Sequence, residues 1–106
     1  MKVLTLLTET IVETIIEAVQ KKAWTAFINN TFALSDVAFR NKSLVKDFKA
    51  IEENPELLEQ LKKDVLEHHK VKELEGDKAG QIFNVIWLAV IFNSKTVIEV
   101  KRIIED

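Results

Sequence analysis

Residues 82–92, IFNVIWLAVIF, hold ten apolar residues and one asparagine. A membrane span needs roughly 20 predominantly apolar residues, so this segment is too short to cross a bilayer. An ordinary surface helix buries a single stripe and leaves the opposite side polar, so the segment is also too apolar for that role. It must therefore be buried on nearly all sides, either inside the fold or against a partner.

The composition around this segment favours long helices with few connections. The 106 residues include two glycines and one proline, which is far below the usual frequencies of about 7% and about 5%. Sheets and sandwiches need frequent turn residues, whereas helices do not. The length fits one domain, residues 1–106. The absence of cysteine from the sequence excludes disulfides, zinc–thiolate sites and cysteine nucleophiles. The sequence therefore predicts a single all-α domain.

Apolar spacing predicts four helices, which we expect to form an antiparallel bundle with a long first and a long fourth helix. The first covers about residues 2–29. It is expected to break at residues 29–31, Asn-Asn-Thr, because asparagine competes with the helix for backbone hydrogen bonds. Ser35 is the predicted N-cap of the second helix. Phe39 lies on the far side of that helix, among charged residues.

The third and fourth predicted helices have clearer ends. The sequence Asn-Pro-Glu that starts at Asn54 is typical of a helix N-terminus, and Gly76 is expected to end the third helix at about residue 75. The fourth helix is predicted over about residues 79–104, with a kink or restart at Asn93-Ser94. Residues 96–100 are rich enough in β-branched side chains for a strand, but no second strand candidate lies nearby.

The charge distribution argues against a nucleic-acid partner and against secretion. Fifteen basic and seventeen acidic residues give a net charge of −2, whereas nucleic-acid binding draws most of its affinity from a clustered basic patch. The basic residues Arg40, Lys42, Lys46 and Lys49 spread around the second predicted helix and are interrupted by Asp47. Lys2 precedes an apolar start as in a signal peptide, but Glu9, Glu13 and Glu17 recur where such a segment should be uncharged. We therefore expect a cytoplasmic protein with no membrane span and no nucleic-acid partner.

Sequence motifs for catalysis are absent. The loop GDKAG lacks the spacing of a phosphate-binding P-loop, no serine stands in a nucleophile elbow, and no H-E-x-x-H pair occurs. The chain also has no tyrosine. We therefore expect a protein without enzymatic activity and without a cofactor.

One pair of titratable residues, His68 and His69, offers an alternative centred on a metal or an enzymatic site. Asp64 lies four residues before His68, and Glu73 lies four residues after His69. The Glu-x-x-His step of bundle metal sites fails at both histidines, where valine and leucine replace the glutamate. Adjacent side chains on a helix also point about 100° apart. We expect boundary histidines that hydrogen-bond to carboxylates, with a metal-binding or pH-sensing role as the alternative.

Five apolar residues lie off the main stripes of their predicted helices. They are Trp24, Ile28, Trp87, Leu88 and Ile91. A central fourth helix in a compact monomer would cover them, but each helix of a four-helix bundle normally keeps one exposed side. Tryptophan is enriched at interface hot spots. The sequence therefore predicts a small adaptor, regulator or immunity-type protein that forms a homodimer, or binds another protein, through helices one and four. An apolar ligand inside the bundle is a further alternative.

Overall fold

The computed structural model describes residues 2–40, 42–74, 76, 78–92 and 96–105, and within these every regular element is an α-helix. The all-α prediction is confirmed, whereas the predicted bundle of four helices is not, because the described residues form seven. The helices are α1 (Lys2–Val19), α2 (Trp24–Arg40), α3 (Lys42–Glu53), α4 (Pro55–Glu67), α5 (His69–Lys72), α6 (Ala79–Phe92) and α7 (Thr96–Glu105). No helix in this part of the chain is long and apolar enough to cross a membrane.

The first predicted helix is two helices, because the chain turns between Val19 and Trp24. Lys22 adopts a φ of +50°, a left-handed conformation that residues with a Cβ atom seldom take. The N–H of Ala23 closes the turn by donating to the carbonyl of Glu17 at 2.8 Å. Trp24 is the first residue of α2. It lies off the apolar stripe of the first predicted helix because the turn gives α2 a different orientation from α1.

The predicted break at residues 29–31 and the predicted cap at Ser35 are both wrong. These residues lie inside α2, and Ser35 is buried there. The hydroxyl of Thr31 donates to the carbonyl of Phe27 at 2.9 Å, so this buried polar group is satisfied by the preceding helical turn. Polar residues in α2 therefore interrupt neither its hydrogen bonding nor its packing against α1 and α6.

The predicted start of the third helix is confirmed. Asn54 is the N-cap of α4, its side chain accepts a 3.0 Å hydrogen bond from the N–H of Glu56, and Pro55 follows at the first helical position. The helix ends earlier than predicted, at Glu67, and α5 follows after a break at His68.

Most of the apolar segment, over residues 82–91, is covered by the fold itself. Most of its large side chains are buried in α6: Ile82, Phe83, Ile86, Trp87 and Val90. α1, α2, α4 and α7 all pack against this helix. A narrow stripe through Gln81, Asn84 and Leu88 remains exposed. α6 and α7 are separate helices on either side of residues 93–95, and the predicted kink at Asn93-Ser94 lies outside the described residues.

Candidate functional site

Both tryptophans of the predicted interface make contacts within the chain. Trp87 is 7% exposed, and its ring stacks on Phe48 with 6.4 Å between centroids and an interplanar angle of 18°. Trp24 packs edge-on against Phe27 at 6.2 Å, and the ammonium of Lys101 lies 4.9 Å from the centroid of the Trp24 ring. Ring stacking and cation–π contacts of this kind stabilise a monomer.

The other three predicted interface residues differ in exposure. Ile28 and Ile91 are partly buried and pack against the core. Leu88, at 49% exposed, is the one residue of the predicted five that is largely open to solvent. Four of the five predicted interface residues therefore pack within the chain, and Leu88 is about half exposed. Association of the protein stays a prediction.

A different apolar surface lies on α2. Phe32 is 57% exposed and Phe39 is 60% exposed, and because they are seven residues apart they lie on the same side of the helix. The residues of this side, called here the α2 surface, are Asn29, Phe32, Ala33, Asp36, Phe39 and Arg40. Two exposed phenylalanines on one helix face form the kind of patch that often marks an interaction site.

An apolar groove of about 210 Å³ adjoins the α2 surface. It is called here the α1–α2 groove. Six apolar residues line it: Leu6, Leu7, Ala33, Leu34, Val37 and Phe48. Leu6 is an exposed side chain of α1, and Ala33 belongs to both the groove and the α2 surface. The molecule therefore carries protruding aromatic side chains and an apolar recess next to each other.

The charges on the α2 surface balance each other. Arg40 Nε lies 2.9 Å from Asp36 Oδ1 in an ion pair one turn apart, and both side chains are largely exposed. An exposed pair of this kind contributes little to stability because solvent screens it. Its position matters more, because one positive and one negative group flank Phe39 on a surface that has no excess of either sign.

Sequence reasoning missed Phe32 and only partly recognised Phe39. Phe32 follows the predicted break at residues 29–31, where a helical face cannot be assigned, and Phe39 lies in a helix that is predicted to begin at Ser35. Because residues 24–40 form one helix, the spacing of seven residues between the two phenylalanines indicates that they share a helix face. The missing information was the helix boundary at Trp24.

The histidine pair lies at the joint between α4 and α5. His68 has φ −60° and ψ +135°, which takes the chain out of the helix. Its Nδ1 accepts a 3.2 Å hydrogen bond from the N–H of Lys70, and its Nε2 lies 3.7 Å from Glu9 Oε1. The rings of His68 and His69 stack with 4.5 Å between centroids. The expected divergence of the two side chains fails because the chain is not helical at His68.

The two predicted carboxylate partners of the histidines, Asp64 and Glu73, have other roles in the structure. Asp64 Oδ1 accepts a 2.7 Å hydrogen bond from Gln60 Nε2. Glu73 is the C-cap residue of α5, where its backbone N–H donates to the carbonyls of His69 and Val71. Within the described residues, no three histidine, aspartate or glutamate side chains are grouped so that they could hold a metal ion. An ion pair between Lys70 and Glu13 instead connects α5 to α1 at this joint.

The tie between α5 and α1 is an ion pair. Lys70 Nζ donates a 2.7 Å hydrogen bond to Glu13 Oε1. This bond lowers the pKa of Glu13 below its ordinary 4.5 and raises the pKa of Lys70 above its ordinary 10.5. Its contribution to stability is therefore complete between those two values. It is lost as the pH falls through the lowered pKa of Glu13, or rises through the raised pKa of Lys70.

Comparison of the chain with protein-family models, with curated proteins and with solved structures finds no match. The features that bear on function are therefore those of the molecule itself. They are an all-α fold, an exposed apolar helix face beside an apolar groove, and a histidine at a helix joint.

Proposed function

We propose that this protein is a small, non-enzymatic helical interaction module that forms a homodimer through the α2 surface. The observation that carries the proposal is the pair Phe32 and Phe39, each more than half exposed on one helix face. Covering exposed apolar area of this kind with a partner removes it from water, and this burial favours association. The proposal keeps the class of function predicted from the sequence. It moves the interface from the five residues predicted on helices one and four to the exposed phenylalanines of α2, because the fold buries Trp87 and packs Trp24, Ile28 and Ile91 against the core.

Self-complementarity supports a second copy of the chain as the partner. A two-fold interface brings the same surface of both copies together, so each copy must offer both halves of every contact. Here each copy has protruding phenylalanines and, beside them, the α1–α2 groove. A phenylalanine of one copy can therefore enter the groove of the other, and the reciprocal contact forms at the same time.

The charges agree with this arrangement. When two α2 helices lie antiparallel across a two-fold axis, Asp36 of each copy can approach Arg40 of the second copy. Opposite charges that meet across an interface fix its orientation and exclude wrong partners. A stable interface usually buries about 800 Å² per partner. The proposed interface consists of the face of one helix with Leu6 beside it, and we expect a weak dimer that dissociates on dilution.

The first test is the solution mass of the untagged protein, measured by light scattering or sedimentation across a dilution series. We expect a monomer–dimer equilibrium that Phe39→Ser weakens about tenfold or more, because a central aromatic anchor is removed. Leu88→Ser is the matched control, since it removes an exposed apolar side chain from α6 and should leave association unchanged. A chain that stays monomeric at every concentration contradicts the homodimer. Weakening by Leu88→Ser alone would place the interface on α6.

A charge reversal tests the orientation separately. Asp36→Arg places two arginines, at positions 36 and 40, on the α2 surface of each copy. These like charges would repel across the interface, so the variant should associate more weakly than the wild type. The double variant with Asp36→Arg and Arg40→Asp restores opposite charges across the two-fold axis and should recover association. If the double variant stays as weak as the single one, the antiparallel arrangement is wrong, whatever the effect of Phe39→Ser.

The alternatives receive less support. The α1–α2 groove, at about 210 Å³, is smaller than the roughly 300–1,000 Å³ of typical small-molecule pockets. It suits one protein side chain better than an apolar ligand. At the histidine joint, the Nδ1 atom of His68 already accepts a hydrogen bond from the backbone, which leaves this atom unsuited to bind a metal. Native mass spectrometry of untagged protein would reveal either a retained lipid or a metal ion.

A further inference from the structure

The cap at the start of α5 is an imidazole nitrogen. His68 stands at the N-cap position of α5, and its Nδ1 accepts the N–H of Lys70 at 3.2 Å. N-cap residues are usually serine, threonine, aspartate or asparagine, whose side-chain oxygens accept this hydrogen bond at any pH near neutrality. An imidazole accepts at one nitrogen only while it is neutral, because the imidazolium ion carries a proton on both.

We infer that His68 is an acid-sensitive helix cap, which holds the first turn of α5 when neutral and releases it when protonated. Protonation places an N–H on Nδ1, directly opposite the N–H of Lys70, so the two donors repel each other. Histidine is the side chain that ordinarily changes charge between pH 5 and 8. The geometry also assigns the neutral tautomer, since Nδ1 accepts and the proton must therefore be on Nε2.

The groups around His68 come from each helix packed against the joint. They are Glu9 and Glu13 on α1, Asp64 one turn earlier on α4, and His69 and Lys70 on α5. Glu9 faces Nε2 at 3.7 Å and would attract the imidazolium, but its side chain is largely exposed, so solvent screens the attraction. The ammonium of Lys70 on α5 opposes a positive charge on His68, whereas His69 contributes a ring that stacks on that of His68.

Release of the cap has a consequence for α1. The Lys70 side chain is bonded to Glu13, and the backbone of the same residue is held by His68. When the backbone bond is lost, the first turn of α5 and its tie to α1 loosen together. This inference does not depend on the homodimer, because no residue of the α2 surface takes part in it.

The test uses NMR of the full chain at pH 7.5 and pH 5.5. We expect the ring nitrogen shifts of His68 at pH 7.5 to show the proton on Nε2. We also expect the solvent exchange of the Lys70 amide, corrected for its intrinsic pH dependence, to be about fivefold faster at pH 5.5, as for the loss of a typical cap. His68→Asn keeps an acceptor that does not titrate, so this variant should lose the pH response and retain α5.

His69→Asn is the matched control, because it replaces the stacked neighbour and leaves the cap in place. This variant should keep the pH response of the Lys70 amide. The inference is overturned if His68 carries its proton on Nδ1 at pH 7.5. It is also overturned if the response persists in His68→Asn or disappears in His69→Asn.

Discussion

Replacement of Trp87 by alanine should destabilise the monomer strongly. Trp87 is 7% exposed and stacks on Phe48 in the core. Truncation of a buried phenylalanine or tryptophan to alanine costs about 3–5 kcal/mol, because apolar contacts are lost and a cavity remains. Aromatic pairing accounts for about 0.5–1.5 kcal/mol beyond the burial of area. We therefore expect the upper part of the range.

This loss is large compared with the whole stability of such a domain. Proteins of this size have a free energy of unfolding of about 5–15 kcal/mol, so Trp87→Ala removes a substantial fraction of that free energy. A change of 1 kcal/mol shifts the midpoint of thermal unfolding by roughly 4–8 °C in a domain of about 60–100 residues. The variant should therefore melt at least about 12 °C below the wild type.

Urea denaturation measures the effect directly. Trp24 remains in the variant as the fluorescent reporter, and circular dichroism follows the helices independently. Leu88→Ala is the matched control on the same helix, since its side chain is 49% exposed and its truncation should cost less than about 1.5 kcal/mol. If Trp87→Ala costs no more than Leu88→Ala, the reasoning that α6 is covered by the monomer fails. Association, not folding, would then be the role of Trp87.

Four further substitutions test local features of the fold. Asn54→Ala removes the acceptor at the start of α4 and should cost about 1 kcal/mol in urea denaturation; an unchanged midpoint would show that the cap is replaced by water. Gly76 has φ +87°, so Gly76→Ala should destabilise by about 1 kcal/mol, whereas Gly80→Ala, in α6 with room for a Cβ atom, should stabilise by up to about 1 kcal/mol. Equal effects at the two glycines would contradict the assigned backbone. Lys70→Met should raise the pKa of Glu13 towards its ordinary 4.5, as followed by NMR titration of the carboxyl carbon; a pKa that does not move would mean that the ion pair does not form in solution.

Local features of the sequence predicted part of this fold well. The scarcity of glycine and proline indicated helices throughout, and the Asn-Pro-Glu sequence at Asn54 indicated the start of α4. Both signals work because capping and turn formation depend on a few neighbouring residues. The need to bury residues 82–92 was equally readable, since ten apolar side chains in one short helix cannot face water.

The helix breaks at Lys22 and His68 were not predictable in the same way. Neither position carries a glycine, proline or asparagine, and a lysine in a left-handed conformation has no local signature. Such breaks persist because the helices on both sides are held by packing against the rest of the chain. Helix propensity is weak beside tertiary contacts, so a pattern read along the sequence continues through both breaks.

By itself, the sequence determined that this protein is helical, where α4 begins, and that residues 82–92 must be covered. Only the tertiary structure decided what covers them and which apolar side chains stay outside, with Trp87 stacked on Phe48 and Phe32 and Phe39 left on the surface of α2. The physical reason is that hydrophobicity is a property of each residue, whereas burial depends on how distant helices pack together.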